Sequence, residues 1–492
     1  MRVKWATIKE LLFSNRSMRQ TVVKNTFWLT AGNFTSRIIK AFLIIYVARA
    51  LGAAGYGIFS YAVSLAGFFS LFSDIGVSGI LTREGARNPK ALPEYLGTSL
   101  GIKVGLLAVT NVIIFTVAPH FAGNVPEALA LLPLAALLVT SDGLRELAYA
   151  ITRSKEKMQT EAGISIVTNL AVTVLGIGVM FFFHPTPLAL MAGYTFGSIV
   201  GTVYAYWTVR EDFHNPFKYF RKKLVGPIIL EGLPFGLMGM LGTLMLNIDT
   251  LLVGWLTAAA DAAKTLGIYA AAQRPVQVLY IIPAILSTAL FPALARLATL
   301  DKARFKNLLE NAVSFSFLIA IPLAMGGLIL GQGLMLLIFG SEYLAGTPTF
   351  MVLLFTLLVV FPGNFVANAV FAYDSEKSFL WYLLAGLVAN VILDIILIPP
   401  FGIFGSAIAT LAAQILANIV IWRKLKSIQD FETLRHLPKM LIASVGMGAV
   451  VLAMNLIGLP VLISVALGTG AYFLFLYILK EPLLKYIPYV PH

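Results

Sequence analysis

Asn33, Arg37 and Lys40 stand four and three residues apart, a spacing that puts their side chains on one ridge of a helix. Arg37 lies about twelve residues into an apolar segment, roughly 18 Å at the rise of an α-helix, and so near the middle of a bilayer. Snorkelling carries a cation to the interface only from within a turn or two of a helix end, so Arg37 is expected to face a cavity rather than lipid. Arg274, between Gln273 and Pro275, lies about eight residues into another apolar segment. Guanidinium groups are planar, permanently charged and bidentate, so Arg37 and Arg274, helped by Lys40 and Asn33, suit a diphosphate. A second set has the opposite chemistry. Asp249, the pair Asn390 and Asp394, and Thr410 bring two carboxylates, an amide oxygen and a hydroxyl, all hard donors for a cation, and the turn at Gly405-Ser406-Ala407 can add a backbone carbonyl. The competing reading is that Asp249 neutralises Arg274 while Asn390 and Asp394 bond neighbouring helices.

The elements that must hold these residues follow from composition. A mean hydropathy of +0.86, with 59% hydrophobic and 12% charged residues over 492 positions, leaves too little polar surface for a water-soluble body. The chain reads as an all-α polytopic membrane protein. Its net charge of +13 is loop charge for anionic headgroups of membrane lipids, and no nucleic-acid partner is expected. The absence of cysteine excludes disulfides and thiolate sites, and the five histidines show no ligand spacing. No cofactor is expected.

A window of about twenty residues gives fourteen apolar segments, among them 57–80, 266–295 and 348–372. Of the 36 Lys and Arg, only Arg49 and Lys264 fall on one side of this ladder, and Arg37, Lys40, Lys103, Arg145 and Arg274 fall inside it. The positive-inside rule then puts both termini in the cytoplasm, in a plasma-membrane protein. The expected organisation is a leader at 1–24, six segments over 25–209, and a basic linker at 210–227. Six more segments cover 228–422, followed by a basic loop at 423–438, a last pair of segments over 439–480, and a tail at 481–492. Within the leader, Trp5, Leu11, Leu12 and Phe13 suit a short interfacial helix. The stretch 331–346 is expected as an outer loop.

Gly57-Ile-Phe-Ser-Tyr61 recurs as Gly267-Ile-Tyr-Ala-Ala271, an offset of 210 residues that equals six segments plus the basic linker. Six is even, so the two halves keep one orientation and form a parallel repeat with a cavity between lobes. The last two segments have no counterpart.

These pieces, taken in order, resemble the multidrug/oligosaccharidyl-lipid/polysaccharide (MOP) flippase superfamily, and most closely its polysaccharide-transport branch. The residues that carry the likeness are Ala48-Arg-Ala-Leu-Gly52 with Gly55-Tyr-Gly57, Asp74-Ile-Gly76, Gly232-Leu-Pro234, Ile248-Asp249, Gly267-Ile-Tyr269, Phe291-Pro292, Phe339-Gly-Ser-Glu-Tyr343, and Asn390-Val-Ile-Leu-Asp394 running into Ile398-Pro-Pro-Phe-Gly-Ile-Phe-Gly405. The resemblance implies two six-helix lobes in a V, open alternately to each side, and a polyprenyl-diphosphate oligosaccharide as substrate. It also implies cationic cavity residues on segments 1 and 8, where Arg37 and Arg274 lie. The similar lipid II flippase branch has a sodium site made by an Asp, an Asn-x-x-x-Asp pair and a Thr sixteen residues later; Asp249, Asn390, Asp394 and Thr410 match it, with Ser406 where that branch uses a carbonyl. Sodium or a proton is accordingly the expected coupling ion. A polysaccharide polymerase and assembly proteins are the expected partners, and segments 13 and 14 the expected groove for the lipid tail.

The remaining embedded charges have plainer readings. Lys103 is expected to snorkel, Asp142, Arg145 and Glu146 to neutralise one another along one helix or act as a gate, and Glu231 and Glu310 to sit in first helical turns. Asp74 ends a polar stripe with Ser60, Ser64 and Gly67 that either lines a lobe wall or allows close packing. No phosphate-binding Gly-Lys-Ser/Thr motif and no acidic or histidine cluster on a large outer loop is present. That argues against ATP driving and against the rival reading of a membrane-embedded polymerase or ligase. A drug antiporter, the other rival, calls for twelve helices and an acidic or apolar cavity.

Overall fold

A chain this apolar has no water with which to satisfy its backbone inside a bilayer, and helices close every hydrogen bond internally. The computed structural model describes residues 17–122, 124–213, 215–373, 376–432 and 436–486. The expected leader helix at Trp5 to Phe13, and His214 and His492, lie outside these. Among the described residues every regular element is helical, and twelve helical stretches are long and apolar enough to cross a membrane.

Contacts divide the chain into two compact units, Met1–Gly267 and Ile268–His492. The first contains α1 (Met18–Phe69), α2 (Val77–Arg87), α3 (Leu92–Thr116), α4 (Leu132–Ser154), α5 (Met158–Phe183), α6 (Pro187–Thr208) and α7 (Lys222–Leu256). Helix α8 (Ala262–Leu279) enters the second unit, which continues with α9 (Ile281–Leu300), α10 (Lys302–Ile338), α11 (Thr347–Phe355), α12 (Leu357–Ala372), α13 (Glu376–Ile428), α14 (Leu437–Leu456) and α15 (Val461–Ile478). Leu81, Leu96, Leu147, Ile151 and Ile164 centre the core of the first unit. In the second, Met440, Met447 and Tyr472 of the last helix pair pack on Leu318 and Ile321 of α10.

Two stretches are too long for one crossing. Gln20–Ser73 has 54 residues and Phe379–Ile428 has 50, roughly 75–80 Å of helix against a hydrocarbon thickness of about 30 Å. Each is broken by a glycine in the left-handed region, Gly52 with φ 65° and Gly402 with φ 56°, a conformation that costs side-chain-bearing residues strain.

The repeat detected in the sequence meets itself within the first unit. A Cβ on Gly57 would collide with the Ala263 carbonyl and lie 2.7 Å from the Gly267 nitrogen; a Cβ on Gly267 would collide with the Ala53 carbonyl and lie 3.0 Å from the Gly57 nitrogen. Ala53 to Ala263 and Gly57 to Gly267 are both offsets of 210, so the contact is reciprocal, and only glycine lets the backbones approach this closely.

One expected helix is corrected. Segment 57–80 is not continuous: α1 ends at Phe69, Ser70–Ser73 form a 3-10 turn, and Gly76 has φ 95° before α2 begins. The Ser70 and Ser73 hydroxyls donate to the Gly67 and Ser70 carbonyls at 2.7 Å each, drawing acceptors away from the helical ladder. Asp74 then caps α2, accepting from the Gly76 and Ser78 amides at 2.9 and 3.4 Å. Segments 266–295 and 348–372 run within the helical stretches Ala262–Leu300 and Ser341–Ala372, each with one local irregularity, at Tyr280 (φ −62°, ψ −12°) and Thr356 (φ −60°, ψ −25°), where the backbone stays helical; the Tyr280 and Thr356 hydroxyls share a 2.6 Å hydrogen bond. The stretch 331–346 is not an open loop, because α10 runs to Ile338 and Ser341–Gly346 form a 3-10 turn.

Candidate functional site

Helix α1 packs its small face on α5. Gly32 lies against the Ala162 backbone, and the Ser36 and Ser165 hydroxyls are 2.9 Å apart. The Asn33, Arg37 and Lys40 ridge is turned differently. Asn33 and Arg37 are exposed, and no hydrogen bond or ion pair among the described residues engages the Arg37 guanidinium. Lys40 is half-buried, its ammonium 5.4 Å from the centroid of the Tyr194 ring, a cation–π contact that holds the stem without neutralising the charge.

The same unit contains a cavity of about 570 Å³ where helix 57–80 is interrupted, in which Asp74, Lys103, Asp142, Glu146, Arg153 and Thr243 stand among apolar walls that include Val139, Phe235 and Met240. Lys103 does not snorkel. Its side chain is 0% exposed and its ammonium donates to Asp74 Oδ2 at 2.8 Å; the Ser78 hydroxyl donates to the same oxygen. The expected Asp142, Arg145 and Glu146 cluster is divided between two partners. Arg145 donates to Asp142 Oδ1 at 2.5 Å and to Ser198 Oγ at 2.9 Å, whereas Glu146 accepts from Arg153 at 2.9 Å, and Arg153 also holds Glu161 at 2.7 Å. Adjacent residues on a helix point about 100° apart, so Arg145 and Glu146 serve different neighbours. Outside the cavity, Glu231 of α7 is not merely a first-turn carboxylate: it pairs with Arg83 of α2. Glu310 lies well inside α10 and accepts from the Glu432 amide at 2.6 Å.

In the second unit Arg274 is half-buried and donates to Gln277 Oε1 at 3.1 Å. Asn390 and Asp394 are buried, one turn apart on α13, with the amide donating to Asp394 Oδ2 at 3.4 Å. Thr410 donates its hydroxyl to the Ser406 carbonyl at 2.9 Å, and the Ser406 hydroxyl donates to Tyr269 Oη at 3.4 Å. The carbonyl expected to face a cation thus already accepts the Thr410 proton. Asp249, 2% exposed, belongs to the first unit. No cluster of three or more His, Cys, Asp or Glu suited to a metal occurs among the described residues.

The cavity beside Lys103 is what the sequence reading missed, although its signal was present: Ser70, Ser73, Asp74 and Gly76 in seven residues of an apolar segment.

Comparison with known proteins adds lineage to this geometry. Residues 22–298 match the family model described as polysaccharide biosynthesis protein. The probable flippase AglR of Haloferax volcanii is 24% identical over 89% of this chain and 91% of its own. A putative O-antigen transporter of Shigella flexneri is 25% identical over 82% of this chain and 97% of its own. Among solved structures, the lipid II flippase MurJ in an inward closed conformation superposes with a TM-score of 0.76 at 18% identity, covering 93% of this chain and 99% of that one.

Proposed function

We propose a function for this chain as a member of the polysaccharide biosynthesis protein family, within the MOP flippase superfamily: it is a transporter rather than an enzyme, and it carries a polyprenyl-diphosphate oligosaccharide across the membrane. The observation that carries this reading is Arg37. A permanently charged group in the middle of an apolar helix, exposed and without a partner among the described residues, is costly unless an anion or water meets it. A diphosphate matches its bidentate donors. Arg274, and Lys40 with Asn33, serve the same ligand in this reading, and the tail stays in lipid along the last helix pair.

The two stretches broken at Gly52 and Gly402 are read as two crossings each, which makes fourteen, with both termini in the cytoplasm of a plasma-membrane protein. Two six-helix lobes then alternate access, coupled to sodium or protons through Asp249, Asn390, Asp394 and Thr410, with Ser406 fixing the Thr410 hydroxyl. A polysaccharide polymerase and assembly proteins receive the product.

One set of melting curves in detergent tests substrate and coupling together. Polyprenyl-diphosphate oligosaccharide at about 100 times its dissociation constant is expected to stabilise the fold by about 2.7 kcal/mol, and polyprenol alone to leave it unchanged. Sodium, or a pH change, is expected to shift the wild-type melting temperature and to lose most of that effect in Asp394→Asn, which removes a ligand charge at nearly constant shape. A wild type insensitive to sodium at every pH excludes the sodium site; stabilisation by polyprenol as strong as by the diphosphate excludes the substrate.

A further inference from the structure

We propose that the cavity at the interruption of helix 57–80 is the saccharide subsite, separate from the cations that hold the diphosphate, and that it takes neutral sugars. The inference rests on the flippase reading above. Two observations lead to it independently.

The first is the backbone. Non-helical segments at membrane depth persist only where they are buried in protein or line a polar cavity, and transporters build substrate sites at such breaks. The stretch from Ser70 to Gly76 is such a segment and lines the cavity.

The second is the chemistry of the wall. A cavity of about 570 Å³ is within the range of small-molecule sites, and its charged walls require polar contents. Both cations on the wall are already engaged, Lys103 by Asp74 and Arg153 by Glu146 and Glu161. A diphosphate there would meet three carboxylates, Asp74, Asp142 and Glu146, and no uncommitted cation. A sugar meets them well. Asp142 spends Oδ1 on Arg145 and Ser198, and Glu146 spends Oε1 on Arg153. Among the described residues no hydrogen bond engages Asp142 Oδ2 or Glu146 Oε2, and Asp142 is 48% exposed. Ionised carboxylates are acceptors only and pair strongly with hydroxyl donors. The same charges repel a uronic acid.

The chain has no cysteine, so Thr243→Cys in the full-length protein in nanodiscs reports occupancy of the cavity through its rate of alkylation by N-ethylmaleimide; if it fails to fold, Ser70→Cys lines the same space. Three probes are compared: polyprenyl diphosphate, the same carrier bearing neutral hexoses, and the same carrier bearing glucuronic acid. The neutral glycolipid is expected to slow alkylation at least about fivefold and the other two not to. Asp142→Asn with Glu146→Gln is expected to remove that protection while thermal stabilisation by the sugar-free carrier persists. If the neutral glycolipid stabilises the protein but leaves the cysteine unprotected, or if the bare carrier or the uronate protects it equally, the subsite is overturned and the flippase reading stands. If none of the three stabilises the protein, the flippase reading falls and the subsite with it.

Discussion

Arg37→Ala is expected to reduce translocation of a lipid-linked oligosaccharide about 100-fold or more while the melting temperature of the unliganded protein stays where it was. The two halves of this expectation have separate causes. Hydrogen bonds to a charged partner are worth about 1.5–3 kcal/mol each, and a bidentate pair lost from a diphosphate therefore removes two or more orders of magnitude. Stability is spared because the guanidinium is exposed and makes no hydrogen bond or ion pair among the described residues, so no partner is stranded. Arg37→Lys keeps the charge without the planar fork and is expected to retain part of the activity. Full-rate transport by Arg37→Ala removes this cation from the mechanism.

Asp74→Asn is expected to do the reverse, lowering stability by about 3 kcal/mol, because it takes from the buried ammonium of Lys103 the carboxylate it contacts. Lys103 is 0% exposed and its contact to Asp74 is 2.8 Å, so water from the adjoining cavity, which both residues line, replaces the lost carboxylate only in part. Lys103→Met alone removes the charge but strands Asp74, which keeps its hydroxyl and amide donors from Ser78 and Gly76, and a smaller loss is expected. The double variant Asp74→Asn, Lys103→Met is expected to recover most of the stability of the worse single variant, since replacing both members of a buried pair strands neither. Chemical denaturation of the four proteins in one detergent gives the coupling. Strictly additive losses would mean that the pair is not coupled in the folded state.

The sequence revealed the membrane class and the apolar helices because each is written in local composition. The offset of 210 between Gly57 and Gly267 reappears as a reciprocal backbone contact, and the ridge of Asn33, Arg37 and Lys40 needed only the helical period. What escaped was tertiary. An apolar segment looks alike whether its helix is continuous or broken, and the break at 70–76 depends on hydroxyls competing for backbone carbonyls and on the cap that Asp74 makes. The partner of Lys103 is 29 residues away in sequence, so counting turns to the nearest interface gave snorkelling where the fold supplies Asp74. Glu146 and Arg145 are neighbours in sequence but take different partners: Arg145 reaches Ser198 of α6, whereas Glu146 accepts from Arg153, seven residues further along its own helix.

The measurement that tests the central claim most directly is translocation in sealed proteoliposomes that contain only this chain and a labelled polyprenyl-diphosphate oligosaccharide, followed with an impermeant lectin or glycosidase. The expected result is that glycolipid initially protected in the inner leaflet becomes accessible within minutes, that protein-free vesicles keep it protected, and that vesicles with Arg37→Ala resemble the protein-free ones. Correctly folded wild-type protein that moves no more glycolipid than the empty bilayer, under sodium gradients and proton gradients of either direction, would contradict it.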